Sequence, residues 1–393
     1  MEPQKDERKG IARGPVHIAP VSPLELFFDL VFVFVLSQIT HLIEEDLTPS
    51  GIAHGLVLFV LLWTAWVAFA WVGNAHRAED YSEGGIPRRL VIIGAMALLI
   101  ALGMLIPSAT ETLAVPAALL YLALFVLYVV DYAIATAKDP RMRRGIMRMI
   151  VIQAVLPVAL LVLALTRPTT GSLVVIAIAL VVAYAAPFVT KDSEWQFSPE
   201  HADERFSLLM LIVLGESLIS IGLGAADDPF GWPVVGAIVL GVLIVAALWW
   251  QYFDVVAHQG AAFLQQLAIH RRVTASRLVY TYLHVFLVVG VILMALGLKS
   301  ASADPDDPLP PIEAVLLPSG IALFLATLAV IRFVMRRRIL WPLPVAAVLI
   351  LLVIPLATVV PALVAELVCV MVLAILVTAR EIYTRRGVIQ RIH

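Results

Sequence analysis

Charge is what this sequence has least of. Only 14% of its 393 residues are Asp, Glu, Lys or Arg, against roughly a quarter in an ordinary soluble domain. The polar surface that would dissolve a chain of this size is missing. With 27 basic residues against 29 acidic ones, there is no basic field either, and no nucleic-acid partner is expected. Cysteine is nearly absent. The single one, Cys369, excludes an intrachain disulfide and a cysteine-based zinc site, and reads as a small buried hydrophobe. The phosphate-binding GxxxxGK[ST] loop, the His-Glu-x-x-His helix and the Gly-rich dinucleotide turn are missing too. Their absence argues against an ATP-driven pump and a zinc protease. No cofactor and no bound metal are expected.

What fills the sequence is apolar: 61% of residues are hydrophobic and the mean hydropathy is +0.97. One soluble core cannot absorb this, because such cores stop growing near roughly 250–300 residues. The apolar residues fall instead in runs long enough to cross a bilayer. The expected fold is all-α: a polytopic membrane protein of about twelve transmembrane helices, embedded in a lipid bilayer. The runs lie at 23–43, 52–73, 90–107, 112–136, 146–166, 171–190, 204–224, 232–256, 275–298, 312–334, 341–357 and 361–379. Pro355 and Pro361 bracket a turn near the end that either separates two spans or forms a re-entrant kink. The first run follows a mostly polar stretch and reads as a retained anchor, not a cleaved signal.

Basic residues test this topology independently. With the N-terminus inside and the connections alternating, 25 of the 27 Lys and Arg residues fall on the inner side, and only Arg167 and Lys299 fall outside. The outer connections are acidic, as in Glu44-Glu45-Asp46, Asp227-Asp228 and Asp306-Asp307. The expected location is the plasma membrane, with both termini cytoplasmic.

The chain also repeats itself weakly. Glu25-Leu-Phe27 opens the first span and Glu204-Arg-Phe206 the seventh, each after a Ser-Pro pair, Ser22-Pro23 and Ser198-Pro199. The second and eighth spans both end in aromatic residues. An even number of spans separates the copies, so a parallel six-plus-six duplication is expected. The expected divisions are a cytoplasmic segment at 1–22, repeats at 23–190 and 191–379, and a cytoplasmic tail at 380–393.

Ionisable residues inside spans are costly, so each needs a structural reason or a function. Glu25 has a structural reading, because Ser22-Pro23-Leu24-Glu25 has the form of a capping box. Asp29 lies one turn further along the same face, beyond the reach of a cap. Ser37 and Thr40 continue a thin polar stripe there, while Phe27 and Phe34 point away, as expected of a helix facing a pore or bundle interior. Glu216 is the deepest acid, beside Gly215, Ser217 and Ser220, and small neighbours let another helix approach. It either serves an ion or proton path or donates one structural hydrogen bond. Around these lie Asn74, His76 and Arg77 at the end of the second span, Glu204 and Arg205 at the start of the seventh, Asp254 at the end of the eighth, and His284 in the ninth. Arg77 is the expected partner of Asp29 or Glu25, and His284 reads equally as a packing residue. The Trp and Tyr residues near span ends read mostly as interfacial belts.

The string ELFFDLVFVF from Glu25 to Phe34 resembles the low temperature requirement protein A (LtrA) family, as do ERFSLLMLIVLGESLISIG from Glu204, WWQYFD from Trp249 and YTYLH from Tyr280. This resemblance runs over essentially the whole chain. The family's name records a growth phenotype and assigns no reaction. Phe28-Asp29-Leu30-Val31-Phe32 is similar to the Phe-Ser-Asp-Gly-Val-Phe motif opening the first helix of the endolysosomal potassium channel family, and Asn74-Ala75-His76-Arg77 to the Asn-His-His-Arg ending its second. That likeness implies six-helix units with the first helix lining a pore. Phe28 replaces the motif serine, and Leu208 stands where a second aspartate would be.

The leading expectation is an ion channel or proton-linked transporter for a small ion or small solute, using Glu25, Asp29 and Glu216. The alternatives are a non-catalytic membrane protein of cold or envelope stress adaptation, or an intramembrane serine hydrolase with Ser217 as nucleophile and His284 as base. The expectation is that the protein is not an enzyme. A homodimer is compatible with this composition.

Overall fold

The structure, a computed structural model, describes residues 21–75, 85–105, 114–137, 140–166, 171–190, 198–226, 231–257 and 259–389. It is helical throughout these segments, with a single isolated β-bridge between Pro308 and Pro361. The first seven helices are α1 (Pro23–Glu45), α2 (Pro49–Ala75), α3 (Gly85–Leu105), α4 (Ala114–Ala135), α5 (Pro140–Gln153), α6 (Val155–Thr166) and α7 (Ser172–Thr190). The rest are α8 (Pro199–Gly224), α9 (Trp232–Tyr252), α10 (Gly260–Gln265), α11 (Ile269–Ser276), α12 (His284–Ala303), α13 (Pro311–Arg336), α14 (Pro342–Leu351), α15 (Ile354–Ala357) and α16 (Ala362–Ile389). Two π-helical stretches interrupt the second half, Phe253–Ala257 after α9 and Arg277–Leu283 before α12.

Among the described residues, ten helices are long and apolar enough to cross a membrane, α5 with α6 forming one and α11 with α12 another. The remaining two expected spans are shorter apolar helices, Ser172–Phe188 and Pro342–Ala357. Proline explains the second: α14 stops at Leu351 and a single turn, Ile354–Ala357, resumes around Pro355. Proline has no N–H to donate and its ring opposes the preceding turn, so the run cannot continue as one helix. Ala357 O accepts from Leu309 N and Ala362 N donates to Asp307 O, which closes the break against the loop after α12. α16 runs beyond the expected boundary at 379, as far as Ile389.

The two sets of helices use the same neighbour scheme. α1 packs on α2 and α3, α3 on α4, α4 on α6, α6 on α7, and α2 on α4 and α7. In the second set α8 packs on α9 and α12, α12 on α13, α13 on α14, α14 on α16, and α9 on α13 and α16. The most extensive contact is α12 on α13, where a Cβ on Gly320 would lie 2.5 Å from the carbonyl of Gly290 and 2.4 Å from the amide of Met294. Lipid gives no hydrophobic drive to helix pairing, so close backbone approach through small residues supplies the contact instead. The sets meet where α1 and α2 touch α8 and α12.

The tryptophans divide between two fates. Trp232, Trp249, Trp250 and Trp341 are exposed, as belt residues are. Trp63 and Trp66 are fully buried instead, and Trp71 donates from Nε1 to Thr281 Oγ1 at 2.8 Å. The belt reading fails for these three because α2 turns them into the junction between the sets.

Candidate functional site

Both helices that meet at the junction begin the same way. Ser22 caps α1 in a complete capping box with Glu25, followed by Pro23, and Ser198 caps α8 followed by Pro199. A serine oxygen here takes up an amide that the helix start leaves unsatisfied. α8 therefore starts before the expected 204. Matched from their caps, His201 stands where Glu25 does and Arg205 where Asp29 does. The sequence match of Glu25 with Glu204 is displaced by almost one turn.

The two starts lie side by side and bring opposite charges together. Arg205 Nη1 is 3.3 Å from Glu25 Oε1 and Nη2 is 3.1 Å from Asp29 Oδ1. His201 Nε2 is 3.3 Å from Glu25 Oε2. Trp66 Nε1 donates to Asp29 Oδ1 at 2.8 Å. The Arg205 guanidinium lies 5.6 Å from the Trp66 ring centre and 6.0 Å from that of Phe28, a cation–π sandwich. Glu25, Asp29 and Arg205 are all at most 4% exposed. Asp29 Oδ2 and His201 Nδ1 are buried without a hydrogen-bond partner among the described residues. Gly73 makes room on the α2 side, since a Cβ there would sit 2.5 Å from Glu25 Oε1.

Among the described residues, the partner that Asp29 and Glu25 share is Arg205. Arg77 and His76 lie outside the described residues. Asn74 pins α2 to the start of α8, with its Nδ2 donating to Ser198 O at 2.9 Å and its Oδ1 accepting from Ser198 N at 2.7 Å. Glu204 accepts from Val21 N at 3.1 Å through Oε2, a second tie between the two starts.

Further along, α1 and α8 stay in step. Ser37 Oγ donates to Glu216 Oε1 at 2.5 Å, so the α1–α8 seam holds a second polar contact eight residues further along α1, past buried apolar residues that include Phe32, Val33, Leu209 and Val213. Thr40 turns its hydroxyl back to Leu36 O and takes no part in the contact. Glu216 is half-buried, not fully enclosed. No atom lies within 4 Å of a Cβ on Gly215, so the helix that approaches Glu216 is α1, on the side of Ser37.

The other sequence candidates go elsewhere. Asp254 Oδ2 pairs with Arg380 at 3.0 Å and accepts from Trp250 Nε1, tying α9 to α16. His284 accepts from or donates to Tyr252 through Nε2 at 3.0 Å and meets Val279 O through Nδ1 at 2.7 Å. The π-helical turn leaves that carbonyl in reach of the ring, as widened turns do. Ser217 Oγ bonds to Leu214 O instead, so the structure does not bring Ser217 and His284 together as a nucleophile and base. His201 and Asp203 are functional candidates that sequence reasoning misses. Asp203 accepts from Tyr280 at 2.7 Å beside the α10 start. The dense charge of Glu200-His201-Ala-Asp203-Glu204-Arg205 is their signal, and a span start placed at 204 hides it.

These features define a multi-pass helical membrane protein with a buried, mixed-charge junction where α1 and α2 meet α8. The chain belongs to the family of bacterial low temperature requirement A proteins (LtrA), whose model matches residues 20–378. It is similar to an uncharacterized protein of Rhizobium meliloti (strain 1021), with 28% identity over 306 residues that make up 72% of this chain and 69% of the relative.

Proposed function

We propose that the protein is a proton-linked transporter of a small ion or small solute, and that the α1–α8 seam carries the proton. The observation that carries this reading is the charge balance of the buried cluster. Glu25 and Asp29 face one guanidinium, Arg205. Among the described residues, with both acids ionised and His201 neutral, this buried cluster holds one negative charge more than Arg205 balances. Buried net charge costs several kcal/mol, and a single proton on His201 or a carboxyl removes it. Asp29 Oδ2 and His201 Nδ1, buried without partners among the described residues, offer it places to rest. Ser37 and Glu216 add a second polar contact along the same helix pair.

Arg205 favours this over a passive cation channel. Its guanidinium occupies the space between the acids that a conducted cation would need, and a fixed cation there repels a mobile one. The matched neighbour schemes of the two sets support a tandem duplication in parallel orientation, one copy supplying acids and the other their base. The basic excess on one side supports cytoplasmic termini in the plasma membrane.

The test is proton flux into liposomes holding the purified protein and a trapped pH dye. The wild type is expected to dissipate an imposed pH gradient faster than empty liposomes, with Asp29→Asn and Glu216→Gln each slowing it at least tenfold. Variants that match the wild type would overturn the proposal.

A further inference from the structure

A second site lies away from the seam. Between α2, α4, α5–α6, α7 and the π-helical turn before α12 is a cavity of about 90 Å³. At roughly 10–15 Å³ for each water held, it has room for several waters or a single small ring. Eight of its 21 lining residues are aromatic. Arg277 is the single charged residue of the lining, and no carboxylate stands among the described residues there. The guanidinium is fixed at the wall, 5.5 Å from the Trp71 ring centre and donating to Pro187 O at 3.4 Å. Tyr184 lends a hydroxyl that is buried without a partner among the described residues. Gln153 accepts from Tyr128 through Oε1, which leaves its amide nitrogen as a donor.

The lining is therefore rich in flat apolar surface and in donors, and poor in acceptors. Buried donors need partners. Aromatic walls take flat rings in offset or edge-on contact. A cation is disfavoured, since Arg277 repels it and no acid answers it. From these features we infer that the cavity binds a flat, apolar ring compound bearing carbonyl or carboxylate oxygens, its ring among the tyrosines and its oxygens on Tyr184, Gln153 and Arg277. A quinone dissolved in the membrane and an aromatic carboxylate from water share this chemistry.

Binding is measured on the full-length protein in detergent, through quenching of tryptophan fluorescence, with decylubiquinone, benzoate and tetraethylammonium as probes. One of the first two is expected to saturate, and which one identifies the source; tetraethylammonium is not expected to bind. Ala183→Phe and Ala68→Leu fill the cavity from two walls and should weaken binding at least tenfold. Tyr184→Phe, which keeps the ring, should weaken it several-fold, and Asp29→Asn should leave it unchanged. An azido derivative of the ligand that binds, cross-linked to the wild type and mapped by mass spectrometry, covers the case of filled variants that do not fold. Labels on α2, on α4 to α7 or on Arg277–Leu283 support the site. No saturable binding of either ring compound, labels confined to other helices, or folded filled variants that bind like the wild type would overturn it.

Discussion

Arg205→Gln removes the guanidinium that, among the described residues, pairs with both buried acids. At 3.1 and 3.3 Å and an effective dielectric of about 20, each attraction is on the order of 5 kcal/mol before desolvation is counted. Desolvation has already cancelled most of that in the folded protein. Taking away one partner of a buried pair therefore costs about 3–5 kcal/mol, because the remaining charge stays buried and unanswered. For a large domain, about 2 °C of melting temperature accompanies each kcal/mol, which places the loss at roughly 6–10 °C. The assay is thermal unfolding of the purified protein in detergent, followed by tryptophan fluorescence. The decisive comparison is the triple variant Glu25→Gln, Asp29→Asn, Arg205→Gln, which removes the acids along with their base. It should recover most of the loss. It should not recover all of it, since the cation–π contacts with Trp66 and Phe28, about 0.5–2 kcal/mol, go with the guanidinium. A triple variant no more stable than Arg205→Gln, or a single variant that melts with the wild type, would refute the reasoning.

Three further outcomes are expected. Gly73→Ala places a Cβ 2.5 Å from Glu25 Oε1 and 2.8 Å from Arg205 Nη1, so it should displace the pair and slow proton flux in liposomes with its fold retained by circular dichroism. Gly320→Ala meets backbone atoms of α12 at 2.4 and 2.5 Å and should cost about 1–3 kcal/mol of overpacking, whereas Gly215→Ala, with nothing within 4 Å, should stay within about 0.5 kcal/mol of the wild type in the same melts. Asn74→Ala leaves the amide and carbonyl of Ser198 without the side chain that now answers both; at about 1–3 kcal/mol for each buried group left unsatisfied, it should lower the melting temperature more than Thr40→Ala, whose hydroxyl bonds only within its own helix.

Much of the fold is legible in the sequence because its causes are local. The apolar runs, the Ser-Pro starts of α1 and α8, and the burial of Phe28 against the exposure of Phe27 follow from period and capping. The span at Pro342–Ala357 comes out short because Pro355 interrupts its helix, an effect that hydropathy does not weigh. The site is legible by halves. Glu25, Asp29, Ser37, Glu216 and Arg205 are each marked by charge or polarity at depth, but their pairing is not, because pairing depends on which helices become neighbours across 176 to 180 residues of chain. Arg77 is the nearer base in sequence, whereas the base that the structure places beside both acids is Arg205. Trp66 illustrates the same limit: a tryptophan near a span end serves equally as a belt residue or as a donor to a buried acid, and only the facing helix decides.

Central to the proposed mechanism is a proton that the α1–α8 seam takes up and releases. Infrared difference spectroscopy of the protein in lipid, stepped between acid and neutral pH, reads this most directly through the carboxylic acid carbonyl stretch. The expected result is a carbonyl band that appears and vanishes reversibly, and that Glu216→Gln and Asp29→Asn each alter. A spectrum without any carboxyl band that responds to pH, or one that both variants leave unchanged, would contradict it.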